Sequence, residues 1–224
     1  MVTETAPTSS DTQIQHDVLE ELRWDPRLQP NEIGVAVKAG IVTLSGWVDS
    51  YLKKWAAEEA ALGVNGALAV ANEIEVRLPI AAERTDADIA AAALYALEWD
   101  ANVPLDQVKV AVSDGWVSLT GEVDKQHQRE AAEQAVSRLL GVRGVTNHIT
   151  LRSAPMPDDL KQRIEKALVR SAQFDAQRIA VELQGSKVIL KGTVRSWAEL
   201  KEAERVAYSA PGVTAVENRI KIVS

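Results

Sequence analysis

Cysteine is absent from the 224-residue sequence, and phenylalanine and histidine occur only once and three times. Without cysteine, the chain cannot form disulfides, thiolate metal sites or a cysteine nucleophile. No stretch approaches the roughly 20 consecutive apolar residues that a membrane-spanning helix needs. The first ten residues, MVTETAPTSS, have neither a basic start nor an apolar run, unlike a secretory signal peptide. We therefore expect a cytoplasmic protein without a transmembrane segment.

Internal repetition is the strongest positive signal in the sequence. The strand-like stretches VTLSG, WVSLTG and VILKG end in three glycines that are 75 and then 71 residues apart, namely Gly46, Gly121 and Gly192. The same two spacings relate three asparagines further along the chain, namely Asn72, Asn147 and Asn218. Because the glycines and the asparagines have the same two spacings, the sequence indicates three homologous modules of about 70 residues.

Hydrophobic periodicity gives each module the order helix, strand, strand, helix, strand. Apolar residues at i, i+4 and i+8 predict the first helix, and alternation with a period of two predicts the strands. The fold class is therefore α+β, with three tandem α-β-β-α-β two-layer sandwiches, each a mixed three-stranded sheet with two helices on one face. We assign module 1 to residues 11–79, module 2 to 85–153 and module 3 to 157–224, after a disordered tail over residues 1–10.

The repeated glycines and asparagines are interpreted as structural residues. Each glycine has the parity of a core-facing position, which suggests that another group approaches closely there. That group is a helix backbone or the repeated asparagine, which would tie down the loop after the second helix. A β-bulge at the glycine is the alternative.

The motifs of each module resemble the BON domain family. They comprise a V-x-V strand, a G-x-V-x-L-x-G strand, an Ala-Glu pair in the second helix and a G-V-x-x-V-x-N exit, although module 1 departs from the last motif at Gly66 and Ala67. The resemblance covers nearly the whole chain. It implies an α/β sandwich without catalysis and roles in osmotic or envelope stress. It also implies contact with phospholipid and, in some members, potassium binding.

Reactive side chains form no recognisable catalytic motif. His16, His127 and His148 occupy unrelated positions of the repeat, so the modules share no histidine site. No metalloprotease, nucleophile-elbow, phosphate-loop or dinucleotide-binding motif is present. We expect neither an enzyme, nor a resident cofactor, nor a metal site built from side chains, although main-chain carbonyls could hold potassium. A sequence pI near 5.1 disfavours nucleic-acid binding.

Charge is distributed unevenly along the chain. Residues 1–80, 81–152 and 153–224 carry net charges of −6, −4 and +3. Module 3 could therefore contact anionic phospholipid or dock against acidic modules of its own or another copy. The candidate residues for an anionic partner are Lys161, Lys187, Lys191, Arg195 and Lys201.

Large aromatic residues that break the repeat are candidates for an interface, because core positions should repeat and contact positions need not. These candidates are Trp47, Trp116, Trp197 and Tyr51. Trp47 and Trp116 fall on the sheet face that the helices leave bare, among small neighbours. The favoured function is thus a stress-associated binding or scaffold protein that acts through contacts between its own modules or with other proteins. The alternative is binding of potassium or anionic phospholipid.

Overall fold

The computed structural model of the chain describes residues 10–28, 32–155, 157–170 and 178–223. The tail expected over residues 1–10 lies outside these ranges except for Ser10. Module 1 contains α1 (Asp11–Trp24), β1 (Ile33–Lys38), β2 (Ile41–Val48), α2 (Tyr51–Gly63), β3 (Ala69–Asn72) and β4 (Glu75–Val76). Module 2 contains α3 (Asp86–Trp99), β5 (Val108–Ser113), β6 (Trp116–Val123), α4 (Gln126–Ser137) and β7 (Gly144–Leu151). Module 3 contains α5 (Leu160–Arg170), β8 (Ile179–Gln184), β9 (Lys187–Val194), α6 (Trp197–Tyr208) and β10 (Ala215–Ile222).

Each module has its own mixed sheet, with the second strand in the middle. This strand is antiparallel to the first strand of the module and parallel to the last. In module 1 the last strand is divided into β3 and β4, which both pair with β2 in the same register. The predicted α+β class with three mixed sheets is therefore confirmed.

The two helices of each module pack together against one face of its sheet. In module 1 the buried side chains come from α1 (Ile14, Val18 and Leu22), from β2 (Val42, Leu44 and Val48) and from α2 (Ala56, Ala57 and Ala61). Modules 2 and 3 bury the equivalent positions in cores of their own. Alanines on the second helix let its backbone lie close to the sheet, which explains why an alanine-rich segment recurs in every module.

The repeated glycine makes room for a main-chain carbonyl just before the first strand. At Gly46, Gly121 and Gly192, a Cβ would overlap the carbonyl oxygens of Glu32, Gln107 and Arg178. The φ angles of the three glycines are +107°, +143° and +137°, which other residues rarely adopt. The approaching group therefore belongs neither to the two α-helices of the module nor to the asparagine that the sequence suggested. In module 2 it is the carbonyl at the end of a short 3-10 helix, Leu105–Gln107. Pairing of β6 with β7 also passes through Gly121 without an extra residue, so no bulge interrupts that pairing.

The repeated asparagine fastens the second helix to the last strand. Asn147 Nδ2 donates to the Arg129 carbonyl and to Glu133 Oε2, both at 3.0 Å, while its Oδ1 accepts from the Ile149 N–H at 3.1 Å. Asn72 and Asn218 bond Glu58 and Glu204 in the same way. The loop after the second helix is not the partner, contrary to the sequence interpretation. These contacts explain the repeated Ala-Glu pair, because the alanine is buried and the glutamate accepts a hydrogen bond from the asparagine side chain.

Candidate binding cleft between the second helices

The second helices of the three modules come together around a single cleft. Its described lining comes only from α2, α4 and α6, and its volume is about 440 Å³. That volume falls within the roughly 300–1,000 Å³ of small-ligand pockets. The lining includes Tyr51, Trp55 and Glu59 of α2, Glu130 and Glu133 of α4, and Lys201, Arg205 and Tyr208 of α6.

Tyr51, the first residue of α2, links modules 1 and 2. Its half-buried ring packs against the core of module 2 rather than that of its own module. Burial, and next the negative charge of Glu133, raise the pKa of the Tyr51 hydroxyl, whereas a hydrogen bond with the Val145 backbone lowers it. Because Glu133 and Val145 both belong to module 2, the ionisation of Tyr51 reports directly on the packing of the two modules.

Module 3 enters the cleft through charged residues of α6. Lys201 Nζ lies 3.9 Å from Glu59 Oε1 of module 1. Arg205 donates two hydrogen bonds to Glu202, at 2.6 and 2.7 Å. This pairing raises the pKa of the Arg205 guanidinium, and Glu130 of module 2 adds to the effect. The electrostatic contacts of α6 thus reach both other modules.

Negative charge predominates in the cleft. Five glutamates line it, against the two cations Lys201 and Arg205. Ser137 is the one serine of the described lining, and its hydroxyl donates to the Gln134 carbonyl of its own helix at 3.1 Å. No histidine or cysteine stands among the described lining residues to activate a hydroxyl. Each glutamate already pairs with a cation or accepts from an amide of the protein. The described lining is therefore a network of ion pairs and hydrogen bonds in which no hydroxyl is paired with a base.

Metal binding by side chains finds no support in the described part of the chain. Within it, no group of three or more His, Asp or Glu side chains is placed to hold a metal ion. A potassium site made of main-chain carbonyls stays a prediction. Across the same ranges, every helix is too short or too polar to cross a bilayer.

The aromatic candidates other than Tyr51 lie outside the cleft lining. The Trp116 ring is 49% exposed and lies over Gly144, and its Nε1 donates to Thr146 Oγ1 at 2.7 Å. Trp116 also lines a groove of about 980 Å³ whose lining includes residues 73–77 of module 1. Trp47 is half-buried, with the Arg77 guanidinium 5.9 Å from its ring centroid. Trp197 packs on the core of module 3. The four aromatic candidates therefore do not form one surface.

Most of the basic candidates of module 3 face carboxylates. Lys161 is 3.8 Å from Glu165, Lys187 is paired with Glu217, and Lys191 donates to both oxygens of Glu182 at 2.7 Å. Lys201 faces Glu59 in the cleft, and Arg195 uses its backbone N–H to bond Glu199 at 2.8 Å. These five residues are spread over helices, strands and a loop, and the structure does not gather them into one basic patch. Phospholipid binding stays a prediction.

Ion pairs cover the outer sheet face of module 3. Ile189 lies there opposite Glu182 and Glu217 and is nevertheless buried. The hydrogen bond from Lys191 lowers the pKa of Glu182, and those from Lys187 and then Arg219 lower the pKa of Glu217. The aliphatic stems of the charged residues can shield the isoleucine while their heads stay in water. This face differs from the small-residue faces of modules 1 and 2.

The sequence interpretation missed most of the cleft. Trp55, Glu130 and Lys201 occupy one equivalent position of the repeat, and Glu59, Gln134 and Arg205 occupy another one turn later. The criterion that identified the sheet tryptophans, a residue that changes between modules, also applies to these helix positions. The signal was present, but a polar helix face is usually solvated, and nothing in one module shows that three such faces meet.

Comparison with known proteins identifies the modules. A family model described as the BON domain matches residues 10–77, 85–153 and 158–224. The chain belongs to the BON domain family. The membership expected from the sequence motifs is thereby confirmed, and each of the three sheets lies within one BON match.

Two curated proteins are similar to this BON protein. Osmotically-inducible protein Y of Escherichia coli (strain K12) is 32% identical over 146 residues, which cover 62% of this chain and 71% of that protein. An uncharacterized protein of Anaplasma centrale is 26% identical over 122 residues, which cover 51% and 81% of the two chains. A solved structure of CdsD, a structural protein of the Type III secretion system of Chlamydia trachomatis, aligns over 93% of this chain and 91% of its own. It has 12% identity and a TM-score of 0.27, values too low for any functional argument.

Proposed function

We propose that this BON protein is a non-catalytic binding protein that acts under osmotic stress. Its three modules would pack through their second helices into one body that presents several surfaces to protein partners. The similarity to an osmotically inducible protein supports the stress association. The absence of a paired nucleophile and base among the described cleft residues supports a binding role.

The observation that carries this proposal is the burial of Tyr51 between modules. A tyrosine at the start of α2 packs on the core of module 2, and Glu59, further along the same helix, faces Lys201 of module 3. One helix thus contacts both other modules. Tandem domains that were merely tethered would not need a half-buried aromatic residue at such a junction.

Growth of the producing organism at high osmolarity tests the proposal. A strain lacking the gene should grow more slowly than wild type after an osmotic upshift, and the intact gene should restore growth. Tyr51→Asp should fail to restore growth, because it places a charge against the core of module 2 and separates the modules, while every fully buried core residue is kept. Tyr51→Phe keeps the apolar ring and should restore growth.

Two outcomes would contradict the proposal. Equal growth of the deletion strain and wild type at high osmolarity would remove the stress function. Full restoration by Tyr51→Asp, with the variant accumulating to wild-type levels, would show that modules packed around α2 are not needed for it.

A further inference from the structure

Helix α3 of module 2 is apolar on both sides. Ile89, Ala93 and Leu97 face the core and are buried. On the opposite side, exposed residues follow each other at helical spacing and form what we call the apolar stripe: Ala87, Ala91, Leu94, Tyr95 and Trp99. Leu94, Tyr95 and Trp99 are 49%, 61% and 73% exposed. A helix with apolar residues all round normally has both sides covered.

The other two modules provide an internal comparison for this stripe. The core positions of the first helix are apolar in all three modules. At the positions of Leu94 and Trp99, α1 also has the apolar residues Leu19 and Trp24, but at those of Ala91 and Tyr95 it has His16 and Glu20. The equivalent positions of Ala91, Leu94, Tyr95 and Trp99 in α5 hold Gln162, Glu165, Lys166 and Arg170. Folding of the module therefore does not require an apolar outer face, and the stripe on α3 has another cause.

The charges on α3 argue against a membrane as the partner. Asp86, Asp88 and Glu98 are the charged residues of this helix, and all three are acidic. Helices that lie in a membrane surface carry Lys and Arg on their polar side, and anionic headgroups would repel α3.

The nine residues before Ser10, MVTETAPTS, contain no leucine, isoleucine or aromatic residue to cover the stripe. These facts favour a protein partner outside the chain.

The distribution of side-chain size along the stripe matches a second copy of the same helix. The small Ala87 and Ala91 lie toward its start, and the Tyr95 and Trp99 rings, with centroids 5.6 Å apart, form one aromatic surface toward its end. When two copies are related by a twofold axis, the helices run antiparallel. The rings of each copy then lie on the alanines of the other, so one patch serves both sides of the contact.

We propose that the apolar stripe of α3 is a homodimer interface, formed by antiparallel pairing of two copies around the region between Ala91 and Tyr95. Aromatic side chains bury roughly 150–250 Å² each, so two rings and a leucine per copy fall short of the roughly 1,600 Å² of a standard interface. The same pairing places the exposed Asp88 of each copy near the exposed Glu98 of the other, which adds repulsion. The dimer should therefore be weak and dissociate between about 10 µM and about 1 mM.

Sedimentation equilibrium of the full chain over that concentration range tests the proposal. The variant Ala91→Gln, Leu94→Glu, Tyr95→Lys and Trp99→Arg gives α3 the residues that α5 already carries at these positions, so the fold should tolerate them. Its dimer dissociation constant should rise at least tenfold, with an unchanged circular dichroism spectrum. Lys166→Ala with Arg170→Ala on α5 is the matched control and should leave dimerisation intact.

The cysteine-free sequence allows a second measurement, which traps even a small population of dimer covalently. Leu94→Cys, one residue from the proposed twofold axis, should form a disulfide between copies on mild oxidation, whereas Glu165→Cys, at the equivalent position of α5, should not. A wild-type chain that stays monomeric up to about 1 mM, or a dimer that survives the four-residue replacement, would overturn the proposal. Binding of the wild-type chain to vesicles through Trp99 in place of dimerisation would also overturn it. Growth of the Tyr51 variants is unaffected by these outcomes.

Discussion

At the scale of single residues, glycine sets the geometry of each module. Gly121 combines a φ of +143° with a carbonyl of Gln107 in the space that a side chain would need. Gly46 and Gly192 meet the same two conditions. Because the conformation and the contact both exclude a Cβ, these positions depend on glycine more strongly than an ordinary turn does.

Gly121→Ala should lower the free energy of unfolding by roughly 3 kcal/mol, since the residue would be strained and the carbonyl would have to move. Gly63→Ala is the matched control, because Gly63 is helical and a Cβ there would meet no atom within 4 Å. That change should be neutral or add up to about 1 kcal/mol. Urea unfolding followed by circular dichroism measures both. Equal effects of the two substitutions would contradict the account of the repeated glycine.

At the scale of secondary-structure elements, a single amide joins the second helix to the last strand. Asn147 donates to both the backbone and a glutamate of α4 and accepts from the backbone of β7. The last strand is in turn paired with the middle strand of the sheet. The asparagine therefore fixes the position of the helix along the strand, a position that apolar packing alone leaves less defined.

Asn147→Ala should lower the free energy of unfolding by about 1–3 kcal/mol, because the Ile149 N–H and the Glu133 carboxylate lose a partner. Asn102→Ala serves as the control, since Asn102 is exposed and its side chain bonds only the nearby Asp100. We expect its effect to stay within about 0.5 kcal/mol. Thermal or urea unfolding distinguishes the two variants, and an Asn147→Ala protein as stable as the control would show that the asparagine contact is dispensable.

At the scale of the whole molecule, ionisation of Tyr51 measures the packing of modules 1 and 2. Burial and the charge of Glu133 favour the neutral phenol and raise its pKa above the usual value near 10. Because the folded protein holds the phenol proton more tightly than the unfolded chain does, the contribution of Tyr51 to stability is fully present below about pH 10. The contribution is then lost as the pH rises through the pKa of the folded state.

Glu133→Gln should therefore lower the pKa of Tyr51, although the two residues lie in different modules. The amide oxygen of glutamine can still accept from Asn147, so the variant should stay folded. Absorbance of tyrosinate can be followed against pH in a Tyr95→Phe, Tyr208→Phe background, which leaves Tyr51 as the one tyrosine. Glu98→Gln, on the exposed side of α3, should cause no shift. An unchanged Tyr51 pKa in Glu133→Gln would contradict the packing described here.

The sequence predicts a structural feature when the residues that form it recur at equivalent positions of the three modules. The spacing of Gly46, Gly121 and Gly192 revealed three modules, and alternating apolar residues revealed their strands. The partner of each glycine could not be predicted, because a main-chain carbonyl is the same whichever residue supplies it. Glu133 could have been identified as the partner of Asn147, since the Ala-Glu pair and the asparagine recur together. The cleft depends on how three modules are placed, which no periodicity within one module encodes.

The parallel pairing of the last strand has a consequence for synthesis on the ribosome. The middle strand and the final strand of a module can meet only after the whole intervening helix has emerged, so each sheet is completed by the last residues of its module. A module finished in this way can fold before its successor is translated, which limits mispairing among three similar sequences. Modules 1 and 2 can then pack through Tyr51 before module 3 is made, and the contact between α6 and α2 can form only after the last module has emerged.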